Sequence, residues 1–157
     1  MICEIPIKPD QLLDYRVING LAIQSMPISL VISSIEQITN VDREISINYN
    51  RHNLQLQMQN YSDEYILLMD SDVVMTDVNT VREMVSYLDN NESVGCVAVD
   101  TKGNISNHVT CALALIRNIH YRKVKFLSAP TICQCSLIGM ICNSVYLEGI
   151  SAYEIER

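Results

Sequence analysis

Three features of the sequence predict an α/β sandwich with a mainly parallel central sheet flanked by helices. Segments with strand character alternate with segments at helical spacing. One strand, Tyr65 to Met69 (YILLM), is apolar at every position, as expected of a strand covered on both faces. Two aspartates, Asp70 and Asp72, follow that strand at once, where ligands of parallel sheets gather, beyond the carboxyl ends of the strands.

The elements follow in order. MICEIPI reads as a first strand, with Pro6 and Pro9 bracketing its end. Asp10 is the expected cap of a helix running to about Gln24, with Leu12, Leu13, Val17, Ile18 and Leu21 on one face. Pro27 opens a strand over 28–34, and 44–48 (EISIN) reads as another. Residues 51–61 are expected to be helical: Leu54, Leu56 and Met58 fit either period, but glutamine and methionine are good helix formers. After the Tyr65 strand, Asp77 or Asn79 caps a helix carrying Val81, Met84, Val85 and Leu88 at helical spacing, ended by Asn90-Asn91. Strands are expected within 93–100 and 110–117, a helix over 132–141, and short strands in VYLEGISAYEI at the end.

The 157 residues fit one domain, 1–157, long enough to bury a sizeable core. With 48% hydrophobic residues and a mean hydropathy of +0.13, the chain is expected to fold. Its net charge of −7 and lack of a long basic run argue against nucleic acid as a partner. Six cysteines show neither a CxxC pair nor zinc-site spacing, and read as buried thiols of a cytoplasmic protein. No signal peptide is seen, and the apolar stretch 137–142 is too short to span a bilayer. His52, His108 and His120 form no metalloprotease pattern. Walker lysine, G-x-G-x-x-G and G-x-S-x-G motifs are absent, so NTPase, dinucleotide-enzyme and serine-hydrolase readings lack support. One basic cluster, Arg117, Arg122, Lys123 and Lys125, reads as a solvated turn or as a patch for an anionic acceptor or phospholipid surface.

Asp70 and Asp72 carry the chemistry. At a strand end the backbone can turn both carboxylates toward one cation, and hard oxygen donors suit Mg²⁺ or Mn²⁺. The same pair could cap a helix or face solvent; the apolar strand before it favours the metal. A cation would also let an acidic protein accept a diphosphate.

The stretch NYNRHNLQLQMQNYSDEYILLMDSDVVM resembles the nucleotide-binding core of family 2 glycosyltransferases of GT-A fold. The family opens a helix with an Arg-Asn pair, here Arg51-His52-Asn53, and ends the next strand in Asp-x-Asp, here Asp70-Ser71-Asp72. CEIPIK resembles the first strand and its proline, and LLDYRVINGLAIQSMPISLVISS the first helix and second strand. The resemblance implies a nucleoside diphosphate sugar as donor, a sugar, lipid or protein as acceptor, and Mn²⁺ or Mg²⁺ as cofactor. It assigns the metal to Asp70, Asp72 and Glu154, the last standing near the family's late histidine. It assigns the nucleotide to Pro6, Lys8, Ser33, Ser34, Glu36, Arg51 and Asp70. Lys8 reads equally as a solvated lysine, and Arg51 as a structural partner of Asp70. Two departures stand out. Ser33 and Ser34 replace the acids that usually end the second strand. The stretch TICQC, 131–135, lacks the carboxylate that serves inverting members as general base, which leaves Asp100 and Glu148 as candidates. A catalytically weak or inactive nucleotide-binding or interaction domain is therefore the alternative to a transferase. A metal-dependent nuclease is a further reading, disfavoured by the acidic balance.

Overall fold

The computed structural model describes residues 1–7, 11–34, 42–101, 109–150 and 152–156. Among these, six strands form one sheet in the order β2-β1-β3-β6-β5-β7: β1 (Ile2–Ile7), β2 (Ser29–Ser34), β3 (Tyr65–Met69), β5 (Cys96–Ala98), β6 (Leu113–Arg117) and β7 (Ser144–Tyr146). β1 runs parallel to β2 and β3, and β5 parallel to β7. β6 is antiparallel to both its neighbours, β3 and β5, and is the exception in a mostly parallel sheet. A two-stranded antiparallel sheet joins β4 (Val73–Met75) to β8 (Ala152–Glu154).

The helices are α1 (Tyr15–Ala22), α2 (Arg43–Gln57), α3 (Thr80–Asn90), α4 (Asn118–Tyr121) and α5 (Gln134–Gly139). β3 shows why the sequence needs them on both sides. Successive strand residues point to opposite faces. Tyr65, Leu67 and Met69 enter a core with Val17 and Leu21 of α1 and Val81, Met84 and Leu88 of α3. Ile66 and Leu68 enter a second core with Met58, Tyr121, Phe126, Leu137 and Ile138. Both cores exclude water, and each fully buried aliphatic side chain contributes roughly 1.5–3 kcal/mol of transfer free energy.

Three expectations need correction. Residues 44–48 are not a strand; they belong to α2, one helix from Arg43 to Gln57 that is followed by a 3₁₀ turn, Met58–Asn60. The apparent alternation of Ile45 and Ile47 misleads because the buried face of α2 is polar in this part: Ser46, Asn48, Asn50 and Arg51. Most of the donors on this face find protein partners, as burial requires, while Asn48 Oδ1 and Arg51 Nη2 are buried without one. Asn48 Nδ2 donates to the carbonyls of Pro130 and Ile132 at 2.8 and 2.7 Å, and Asn50 Nδ2 to that of Ser46 at 2.7 Å. The first helix starts later than expected, at Tyr15, where Asp14 caps it by accepting from Arg16 N at 2.8 Å. Leu12 therefore precedes the helix and is 92% exposed, and the expected cap Asp10 lies outside the described residues. The helix expected over 132–141 shrinks to Gln134–Gly139. At the start of α3 the two candidate caps share the work: Asn79 holds the cap position, and the Asp77 carboxylate accepts from Asn79 N at 2.8 Å.

Candidate functional site

The parallel strands aim their carboxyl ends at one rim, and the acidic residues collect there. Asp70 leaves β3 with its amide donating to the Ala112 carbonyl at 2.8 Å, so the last pairing of β3 with the β6 side of the sheet fixes the backbone at the motif. Val73 N donates to the Asp70 carbonyl at 3.2 Å, a turn that carries Asp72 round into β4. β4 pairs Val73 with Glu154, and Ile155 N donates to the Asp72 carbonyl at 2.7 Å. The small sheet thus delivers Glu154 beside Asp72 across a span of more than 80 residues of sequence. Glu154 Oε1 accepts from Thr101 Oγ1 at 2.7 Å, which ties in the loop after β5 and brings neighbouring Asp100 to the same rim. Gln11 Nε2 donates to Ser71 Oγ at 3.1 Å, so the segment before α1 also borders the motif.

The electrostatics of this corner are those of acids held together. Burial pushes the Asp70 carboxyl up from 3.8 to about 6; Arg51 acts against that, and the charges of Asp72 and Glu154 add to it. A divalent cation would relieve that repulsion. The donors are hard oxygens, but among the described residues no group of three or more His, Cys, Asp or Glu side chains is placed to hold a metal ion. Carboxylate oxygens are the donor type that Mg²⁺ and Mn²⁺ take, one or two carboxylates commonly sharing such an ion with water and phosphate oxygens.

Beneath the rim lies a buried polar network that connects three elements. Arg51 of α2 is fully buried; its Nη1 donates to Glu4 Oε2 at 2.9 Å and its Nε to Gln134 Oε1 at 2.8 Å. Tyr121 donates its hydroxyl to Glu4 Oε1 at 2.6 Å. Burial raises the Glu4 carboxyl above its ordinary value, while Arg51 and Tyr121 pull back against that. Burial also works against the Arg51 charge, but Glu4, Tyr121 and Asp70 outweigh it, so the guanidinium stays protonated. Arg51 is engaged inside the protein, with Glu4 rather than Asp70 as its ion-pair partner. Glu4 is the buried partner of Arg51 that sequence reasoning missed. The signal was a lone acid within an apolar strand, ICEIPI, which burial permits only with a partner.

The other expected residues sort by position. Pro6 pairs with Ser33, and Ile7 with Ser34, at the carboxyl ends of β1 and β2, on the same rim as Asp70. Asp100 follows β5 and is half-buried. Glu148 follows β7, one residue after Leu147, whose amide donates to the Ala98 carbonyl at 2.8 Å; it is exposed. Lys8 and Glu36 lie outside the described residues. In the stretch 131–135, Cys133 caps α5 and Gln134 begins it, buried on Arg51. Cys135 Sγ accepts from Cys111 N at 3.1 Å, and all six cysteines are free thiols, three of them buried. Among the described residues no helix is long and apolar enough to cross a membrane.

The sheet order, with helices on both faces, is a GT-A-like α/β sandwich. No protein-family model matches the chain, and no curated protein matches its sequence. Solved structures do. The mannosyltransferase PcManGT from Pyrobaculum calidifontis, in complex with GDP-Man and Mn²⁺, superposes with a TM-score of 0.71 at 10% identity, over 98% of this chain and 56% of that one. TarS from S. aureus (1-349), in complex with UDP-GlcNAc, gives 0.65 at 13% identity, over 99% of this chain and 58% of that one. A197 from STIV gives 0.61 at 16% identity, over 99% of this chain and 85% of that one. The chain therefore spans little more than half the length of those two glycosyltransferases. At such identities the likeness shows the fold.

Proposed function

We propose that the protein transfers a sugar from a nucleoside diphosphate sugar to an acceptor, with Mn²⁺ or Mg²⁺ as cofactor. The observation that supports this reading is the raised carboxyl of Asp70 at the carboxyl rim, where burial and the charges of Asp72 and Glu154 make it an anion the protein alone stabilises poorly. Two structures of the same fold hold a nucleotide sugar, one of them with Mn²⁺. A bound divalent cation supplies Lewis-acid neutralisation of the charge on a leaving diphosphate. Asp72 and Glu154 are the residues that hold it, and Asp70 shares it or reaches the ribose. Pro6, Ser33 and Ser34 line the nucleotide side of the rim, with Lys8 and Glu36 as further ligands. Arg51 orders the site from beneath through Glu4 and Gln134 rather than by touching phosphate. Asp100 is the better placed of the two general-base candidates, because its neighbour Thr101 bonds Glu154; Glu148 is the other. Six free thiols suit a reducing, cytoplasmic setting.

A second reading, a nucleotide-binding domain with little or no transfer, draws on Gln134. It opens the helix where the resemblance places a carboxylate base, and it is committed to Arg51. The experiment that separates the two is release of nucleoside diphosphate from UDP-, GDP- and dTDP-linked sugars with Mn²⁺. The transferase reading expects turnover that falls on the order of 100-fold in Asp72→Asn. Nucleotide binding without turnover on any donor would leave the second reading.

A further inference from the structure

The charges of this chain are segregated. All 18 acidic residues lie outside 101–147, a segment holding five of the 11 lysines and arginines. The fold gathers much of that segment at one edge. Arg117, at the end of β6, pairs with Tyr65 at the start of β3, whereas Asp70 follows the end of β3. The edge is thus separated from the acidic rim by the length of β3, about 17 Å.

Two pieces of surface meet there. A Cβ built on Gly95 would lie 2.7 Å from His120 Cδ2 and 2.3 Å from Cys142 Cβ, so α4 and the chain leaving α5 are in contact across that glycine. Their neighbours point outward: Ile119 is 63% exposed, Met140 68% and Ile141 36%. Arg122, Lys123 and Lys125 are exposed beside them, while Val124 and Phe126 are buried in the core below. Arg117 takes no part, being half-buried and tied to the carbonyls of Val94 and Leu88; Arg122 also donates, to Asn118 Oδ1 and the Tyr61 carbonyl, but is exposed. Acids also stand at this end of the sheet: Glu64 lies 3.9 Å from Arg117, Asp63 lies 3.8 Å from the terminal amine, and Asp89 accepts from the Tyr65 hydroxyl.

We infer that this edge docks on an anionic lipid surface, with Ile119, Met140 and Ile141 entering the headgroup layer and Arg122, Lys123 and Lys125 meeting lipid phosphates. Exposed aliphatic side chains ringed by cations are what interfacial binding needs, and neither part suffices alone. A soluble polyanion would be met by the cations but would leave the aliphatic side chains in water. A neutral surface would leave the basic residues without a counter-charge. Docked this way, the protein turns its acidic rim away from the negative membrane, which the repulsion of its own excess acids also favours.

Co-sedimentation of the whole chain with vesicles tests this, comparing phosphatidylcholine alone with a phosphatidylcholine–phosphatidylglycerol mixture. Binding is expected to the mixed vesicles only and to weaken with salt. Lys123→Gln with Lys125→Gln should weaken it roughly 25-fold, from about fivefold per basic residue near the surface. Ile119→Ser with Met140→Ser should also weaken it at unchanged charge, with thermal melting of all variants confirming the fold. No pelleting with anionic vesicles, or equal pelleting with neutral ones, overturns the inference. So does binding untouched by the serine pair and competed fully by heparin, which would mark a polyanion site instead.

Discussion

Asp70 shows how one side chain reports on the site around it. Burial and two neighbouring acids hold its carboxyl at about 6 against an ordinary 3.8. An acid whose native pKa lies above its unfolded value takes up a proton on folding. The metal-free protein is therefore most stable, as far as this group is concerned, below about pH 4, and loses that contribution as pH rises to about 6. Urea unfolding across this window should show the decline, and Asp70→Asn should flatten it. An equal slope in the variant would place the proton elsewhere. Arg51 makes a different prediction. Its guanidinium is fully buried on Glu4, and removing one partner of a buried ion pair leaves the other charge uncompensated. Arg51→Met should cost about 3–5 kcal/mol in denaturant unfolding. A cost below ~1 kcal/mol would mean that Glu4 is satisfied without it.

Among the elements, α1 and β4 set the frame of the acidic corner. Gly20 of α1 packs against the β4 backbone; a Cβ there would lie 2.8 Å from the Met75 carbonyl oxygen and 3.1 Å from its nitrogen. The backbone of a paired strand cannot move aside cheaply, so Gly20→Ala should destabilise the fold by about 1–3 kcal/mol. Thermal melting reads the effect, and an unchanged midpoint would show that helix and strand separate freely. The elements also show what the sequence could and could not disclose. β3 and α3 were legible because their buried positions are apolar at the right period. α2 was legible only from Arg51 on; its first half was not, since its buried positions there include Ser46, Asn48 and Asn50, and a polar buried face erases the periodicity that marks a helix. That polar face continues into Arg51 of the network under the rim, and function is where local rules are expected to fail.

For the molecule as a whole, the sheet order explains why a site is legible at all. Parallel strands β1, β2 and β3 end on one rim, so a strand running into Asp70-Ser71-Asp72 marks that rim from sequence alone. Glu154 needed the family resemblance to be placed, because only the pairing of β4 with β8 brings it to Asp72. Glu4, Gln134 and Thr101 stayed hidden, since each acts through a partner distant in sequence: 47 residues separate Glu4 from Arg51 and 83 separate Arg51 from Gln134. The central claim is that this rim binds a nucleoside diphosphate through a cation held by Asp72. Isothermal titration calorimetry with UDP and GDP, with and without Mn²⁺, tests it most directly. The account predicts binding that requires the metal and disappears in Asp72→Asn while the melting temperature holds. Binding of equal strength without metal, or unaltered in that variant, would contradict it.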